Sequence, residues 1–195
     1  EQTSQIAVIF LKLNSLERYM QTLDEVSLSR YMGRIEEIVF PAADLYNGKA
    51  KVVRKFGLGI FFNEQEMLLS SGFRAISCGQ LIRSILQEIK YKVDLSISIT
   101  MAADFCQVEA RPNEPIYTGV YVQSCIDKLQ KQCEATKDEL SLSKQIVAGS
   151  NTNMEHSKES QASRSFVSAG YFDLPELDLI DRQRWMIVRK LEILD

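Results

Sequence analysis

The sequence predicts an α+β sandwich, a mostly antiparallel sheet with helices packed on one face. Three observations carry this reading. Residues 6–13, IAVIFLKL, are apolar throughout except for Lys12, which marks a central strand covered on both faces. Residues 93–101 alternate strictly, with Val93, Leu95, Ile97, Ile99 and Met101 on one side and Asp94, Ser96, Ser98 and Thr100 on the other. Two long stretches, around 26–40 and 73–89, repeat their apolar residues at helical spacing.

Taken in order, the first strand ends with Lys12 in phase with Ile6, Val8 and Phe10. Thr22 and Glu25 have the spacing of a capping box, so a helix is expected to open there, with Leu28, Met32, Ile35 and Val39 as its stripe. Pro41 is expected to bend or interrupt it, because proline lacks a donor N–H and clashes with the preceding turn. Asn47-Gly48 supplies a turn into a β-hairpin over 47–62, NGKAKVVRKFGLGIFF, with Gly57 at its tip. A second helix covers 73–89. The alternating strand 93–101 follows, and 105–110 pairs with it as another strand. A loop bounded by prolines, 111–115, leads to a third helix with Val122, Cys125, Ile126, Leu129 and Cys133 on one face. Residues 139–142 read as a short strand, and Ser143 caps a brief helix through Val147. The segment 149–165, GSNTNMEHSKESQASRS, is nearly devoid of apolar residues and is expected to be a mobile loop within one domain spanning 1–195. Residues 185–191, WMIVRKL, are expected to form a last strand.

The 195 residues suffice for one domain with a sizeable core, and 45% hydrophobic with 25% charged residues is ordinary globular composition. A net charge of −3 gives no basic field to recruit nucleic acid. The four cysteines form no C-x-x-C pair, and they are expected to be small buried hydrophobes in a reducing compartment. The single histidine, His156, lies in the polar segment, which leaves no support for a zinc site or for Ser/His/Asp catalysis. No apolar run of about 20 residues is present, so no direct membrane contact is expected of this segment. The expected location is cytoplasmic, as a domain on its own or as the cytosolic part of a larger protein.

Over residues 5–147 the order of elements and several local motifs resemble the catalytic domains of class III adenylate and guanylate cyclases. Asn47-Gly48 resembles the Gly-Gly before the family's hairpin. Residues 56–62, FGLGIFF, resemble the Gly-Asp-Gly tip and the apolar strand after it. Residues 116–123, IYTGVYVQ, resemble the approach to the fourth helix, and 139–143, ELSLS, the late strand and its serine. The resemblance implies a ferredoxin-like, cyclase-like sandwich. Diguanylate cyclases share the β-α-α-β-β-α-β core, and residues 54–60 faintly resemble their hairpin without its acids. The helix after Pro115 and the late strand fit the nucleotidyl cyclases better.

The family's chemistry uses two divalent ions held by two aspartates, and the matching positions here are Lys12 and Phe56. A +1 charge about 5 Å from a +2 ion costs roughly 6–7 kcal/mol at an effective dielectric of about 20. Phe56 offers no ligand. The purine-reading lysine falls at Val52, with Lys51 adjacent, and its partner at Val120. The ribose-orienting asparagine matches Gln123, and the phosphate-binding arginine falls at Asp127, with Lys128 beside it. These departures imply a chain that is not an enzyme, with no catalytic, metal-binding or cofactor-binding residue. Its expected role is a regulatory or dimerisation module in signalling, as a homodimer or a heterodimer with a related domain. The alternative is a sensor that binds a nucleotide or cyclic nucleotide without turnover. Phe56, Leu58, Ile60 and Phe62 are expected to form the pairing surface, against the simpler possibility that they face the helices as core. Lys49, Lys51, Arg54 and Lys55 are either an anion site with Lys12 or a solvated strand face. Tyr117 and Tyr121 are either base-stacking or packing residues.

Overall fold

The computed structural model describes residues 3–64, 69–92, 96–109, 119–150, 154–155, 157–170 and 177–193. Residues 93–95 of the expected strand, the loop 111–115, Tyr117 and His156 lie outside them. The described strands form one seven-stranded sheet of order β2-β3-β1-β4-β5-β7-β6. These are β1 Thr3–Leu13, β2 Lys49–Arg54, β3 Gly57–Asn63, β4 Ile99–Glu109, β5 Leu140–Ser143, β6 Lys158–Glu159 and β7 Phe166–Ser168. Only the β4–β5 pair is parallel. The helices are α1 Leu16–Thr22, α2 Glu25–Leu45, α3 Ser71–Ile89, α4 Val120–Glu134, α5 Lys144–Ser150 and α6 Leu177–Ile193. The mostly antiparallel α+β sandwich expected from the sequence is present.

β1 organises it. The strand pairs antiparallel with β3 on one side and β4 on the other. Ala7, Ile9, Leu11 and Leu13 face the larger core cluster, which holds Ile35, Ile38 and Val39 of α2, Ile76, Ile82 and Ile85 of α3, and Ile187 and Val188 of α6. Ile6, Val8 and Phe10 face a second cluster with Val122, Ile126, Leu129 and Cys133 of α4. Three long helices thus cover one face, and α4 covers the other.

Several sequence expectations are corrected. The described parts of the expected strands 93–101 and 105–110 are not separate strands. One strand, β4, runs unbroken over 99–109, because β1 pairs with its whole length and no glycine or proline interrupts it at 102–104. Residues 185–191 are not a strand but lie inside α6. Ile180, Ile187, Val188 and Leu191 are buried at helical spacing, a period that the compact run WMIV conceals. Thr22 does not cap α2. Its hydroxyl donates to Arg18 O at 2.9 Å at the end of α1, while Asp24 is the N-cap and accepts from Ser27 N at 2.7 Å. Pro41 does not end α2, because Val39, Ala42 and Ala43 are buried around it and packing carries the helix to Leu45. The hairpin does not offer its aromatic side as an interface, since Leu58, Ile60 and Phe62 are core residues.

Asn47 adopts a left-handed φ of 56° at the entry to β2, which asparagine tolerates. The hairpin tip is Lys55-Phe56 rather than Gly57, and no described glycine has a positive φ. Gly57 is needed for space, since a Cβ there would clash with the Phe10 ring. Buried Arg74 ties three elements together. Its guanidinium donates to the carbonyls of Leu69, Tyr46, Asn47 and Asn63 and lies 5.8 Å from the Phe62 ring centre. It thereby satisfies carbonyls at the end of α2 that the helix itself leaves unpaired. Burial lowers its pKa from the usual guanidinium value.

Two outcomes follow from this packing. Gly57→Ala should cost about 1–3 kcal/mol in urea unfolding, through overpacking against Phe10. The double variant with Phe10→Leu should lose less than the sum of the single variants. The buried Tyr31 hydroxyl has no hydrogen-bond partner among the described residues, and burial raises its pKa from 10.0 to about 12. The folded state therefore keeps this proton where the unfolded chain loses it, so its contribution is complete below pH 10 and is lost as pH rises towards about 12. Tyr31→Phe should leave neutral-pH stability unchanged or raised, and should reduce the alkaline fall in unfolding midpoint measured between pH 9 and about 11.5.

Candidate functional site

The exit of β1 brings together the two positions that the sequence singled out. Lys12 lies opposite Gly57 of β3 and Thr100 of β4 in the register, and Leu13 N donates to Phe56 O at 2.9 Å. Their side chains part company. Lys12 is half-buried, in phase with Val8 and Phe10 on the α4 face, and has no acidic partner among the described residues. The Phe56 ring packs against the opposite, larger cluster, with Lys55 Nζ 5.3 Å from its centre. Beneath the end of β1 the Cys133 thiol reaches Thr100 O at 3.6 Å. Burial pushes that thiol up to about 12, and the Lys12 charge pulls weakly the other way.

β2 is the sheet edge. Lys51 is exposed opposite Gly59, and Lys49 opposite Phe61, which places both lysines on the α4 face with Lys12. Val52 points to the other face and is 72% exposed. Lysines along an edge strand also discourage a second sheet from adding there.

α4 presents the remaining candidates. Val120 and Tyr121 stand exposed at its start. Gln123 and Asp127 are both held by Arg54 from the end of β2. One guanidinium nitrogen donates to Gln123 Oε1 at 2.8 Å and to Val53 O at 2.7 Å, and the other reaches Asp127 Oδ1 at 2.7 Å. Lys128 turns instead towards β4, where its Nζ lies 2.9 Å from Asp104 Oδ2 and 5.5 Å from the Phe166 ring centre. Asp104 is 4% exposed and also accepts from Phe105 N at 2.8 Å. One turn away, the Cys106–Cys125 disulfide joins β4 to α4, with 6.0 Å between the Cα atoms. That bond corrects the expectation of four free thiols. Nothing in the spacing of the cysteines announces it, because the pairing exists only once α4 lies on β4.

Sequence reasoning missed Asp104 and undervalued Arg54. Asp104 had a signal: it shares the phase of Ala102, Cys106 and Val108, and a carboxylate on an apolar face needs a cation. A further polar network closes the end of the sheet. Asn14 Nδ2 donates to Ser98 Oγ and Thr100 Oγ1, both at 2.9 Å, and Asp138 accepts from Ser98 Oγ, with its own N–H donating to Thr100 Oγ1 at 3.0 Å. Asp138 takes a left-handed φ of 54° there.

These side chains do not fit a pair of divalent ions at the β1 exit. The two expected ligands are an ammonium and a ring turned to the other face, and the nearby carboxylates of Asp104, Asp127 and Asp138 are engaged as described. Among the described residues no group of three His, Cys, Asp or Glu is placed to hold a metal.

The architecture is that of nucleotidyl cyclase catalytic domains. The chain is similar to the adenylyl cyclase CyaB from P. aeruginosa, with 15% identity over 89% of this chain and 98% of that one, at a TM-score of 0.66. It is similar also to the guanylyl cyclase domain of the RhoGC fusion protein from the aquatic fungus Blastocladiella emersonii. That domain is described in a monomeric form (9% identity, 86% of this chain and 96% of that one, TM-score 0.64) and in a dimeric form (8%, 86% and 95%, TM-score 0.63). No protein-family model and no curated sequence matches the chain. At these identities the likeness shows the fold. The structures that share it are adenylyl and guanylyl cyclases, so the fold is one that carries catalysis. The expectation that this chain is not an enzyme, drawn from Lys12 and Phe56, is therefore corrected: substituted ligand positions do not establish inactivity.

The two ion pairs on α4 should differ in weight. Lys128→Met leaves Asp104 buried without its cation and should cost about 2 kcal/mol, less than a fully buried pair because Lys128 is half in water. Asp127 is largely exposed, so Asp127→Asn should cost less than about 1 kcal/mol. Urea unfolding of the two variants checks the order.

Proposed function

We propose that this chain is a nucleotide-binding, cyclase-fold signalling domain. It binds the anionic phosphates of a nucleoside triphosphate or cyclic nucleotide on the α4 face of the sheet, and it pairs with a second cyclase-fold domain as a regulatory partner. The observation that carries the reading is Lys12: an ammonium with no acidic partner among the described residues, at the exit of β1 in a cyclase fold. An ammonium reverses the preference of that place from cations to anions, and Lys49 and Lys51 on the same face add to it. Pairing is supported by the exposed Val120 and Tyr121 at the start of α4, beside that face. It is supported also by the dimeric form described for the RhoGC guanylyl cyclase domain. Likeness to a guanylate cyclase domain in complex with GTP, from Catenaria anguillulae, directs the choice of ligand.

Calorimetric titration with ATP, GTP and their cyclic products, in EDTA and in Mn²⁺, tests this. Saturable binding should persist in EDTA and weaken about tenfold in Lys12→Ala, a change of about 1.4 kcal/mol. Lys12→Asp should weaken it further in EDTA and restore part of it in Mn²⁺. The same samples, assayed for cyclic product, report turnover. No saturable binding at millimolar nucleotide, with or without metal, rejects the reading.

A further inference from the structure

The four cysteines divide into two pairs of opposite character. Cys78 and Cys133 are fully buried free thiols. Burial holds Cys133 up at about 12 and pushes Cys78 higher still, so neither supplies a thiolate at neutral pH. Cys106 and Cys125 are joined across 19 positions. Cys106 is 3% exposed, whereas Cys125 is only half-buried, so an incoming thiolate has one sulfur to attack.

A domain of 195 residues with two packed clusters needs no staple to hold its core, and a single bridge is unlike the dense frameworks of small disulfide-dependent folds. The location of the bridge argues for a different role. Cys125 sits on α4 between Gln123 and Asp127, the two residues gripped by Arg54. Gly119 stands at the N-cap and gives no side-chain hydrogen bond, and Val120 and Tyr121 face water. Its first two turns are therefore held by Arg54 from β2, by Val122 and Ile126 in the second cluster, and by the disulfide to β4. The second half has its own anchors in Leu129, Cys133 and the Lys128–Asp104 pair.

We propose that Cys106 and Cys125 form a reversible redox latch that fixes the first two turns of α4 on β4. Closing the latch takes two electrons from the two thiols. A low-molecular-weight disulfide accepts them: it forms a mixed disulfide at Cys125, releasing one small thiol, and Cys106 then attacks the Cys125 sulfur and displaces the second, the two protons leaving on the two small thiols. Opening runs in reverse: a thiolate attacks the Cys125 sulfur, Cys106 leaves, and a second thiolate clears the mixed disulfide. The latch does not depend on nucleotide binding, so it stands or falls separately from that reading.

The test equilibrates the whole chain in mixtures of glutathione and glutathione disulfide, quenches with acid, alkylates under denaturing conditions and reads the intact mass. Two populations are expected, one with two alkylations and one with four, exchanging reversibly as the ratio changes. Amide exchange over residues 119–127 should be at least about tenfold faster in the four-thiol form, while 128–134 and β1 stay protected. Cys106→Ser and Cys125→Ser should show the fast exchange at every ratio. If either variant fails to fold, the wild-type comparison decides alone. Four alkylations at every ratio, a bridge that resists excess dithiothreitol in the native protein, or equal exchange in the two forms would each overturn the proposal.

Discussion

A strand that is apolar on both sides must be covered on both sides. β1 imposes that condition, and the rest of the domain answers it. Its odd-numbered residues from Ala7 to Leu13 require α2, α3 and α6, and its even-numbered residues from Ile6 to Phe10 require α4. Burying those side chains yields roughly 1.5–3 kcal/mol for each large one, which is why the strand occupies the middle of the sheet rather than an edge. The same condition locates Lys12. The only charged residue between Ile6 and Leu13 stands where the strand leaves the core and its ammonium can reach water.

Covering the second face has a cost in polar groups. Asp104 sits among the residues of that face, and α4 brings Lys128 to neutralise it. Arg54 approaches from the far end of the sheet and holds Gln123 and Asp127, so the helix is fastened from β2 as well as from β4. These contacts engage Asp104 and Asp127. Lys12 at the strand exit, and Lys49 and Lys51 on the edge strand, have no acidic partner among the described residues. A site with that balance attracts anions, whereas two carboxylates in the same place would attract divalent cations. The shared architecture and the altered charge are thus separate facts. Backbone pairing and apolar packing keep the first whatever the second becomes.

Much of this was legible along the chain. The apolar run of β1, the hairpin, the stripes of α2, α3 and α4, and Ser143 as the cap of α5, where its hydroxyl accepts from Ile146 N at 3.0 Å, each follow from residues within a few positions of one another. Reading failed where two local signals competed. Trp185 to Val188 look like a strand until the burial of Ile180, Ile187 and Leu191 selects the helical period. Thr22 and Glu25 have the capping spacing, yet Asp24 caps α2 because α1 claims the Thr22 hydroxyl.

The sequence by itself determined which segments must be buried, with what period, and that position 12 would carry a positive charge. Those properties depend on composition and on contacts within one or two turns. Only the tertiary structure decided that Phe56 turns away from Lys12, that Arg54 meets Asp127, that Lys128 meets Asp104 and that Cys106 bonds to Cys125. Each of these joins residues about 20 to 70 positions apart or sets a side chain's face. Such pairings arise when packing of the two clusters fixes the height and rotation of α4 over the sheet, and no local pattern encodes that placement.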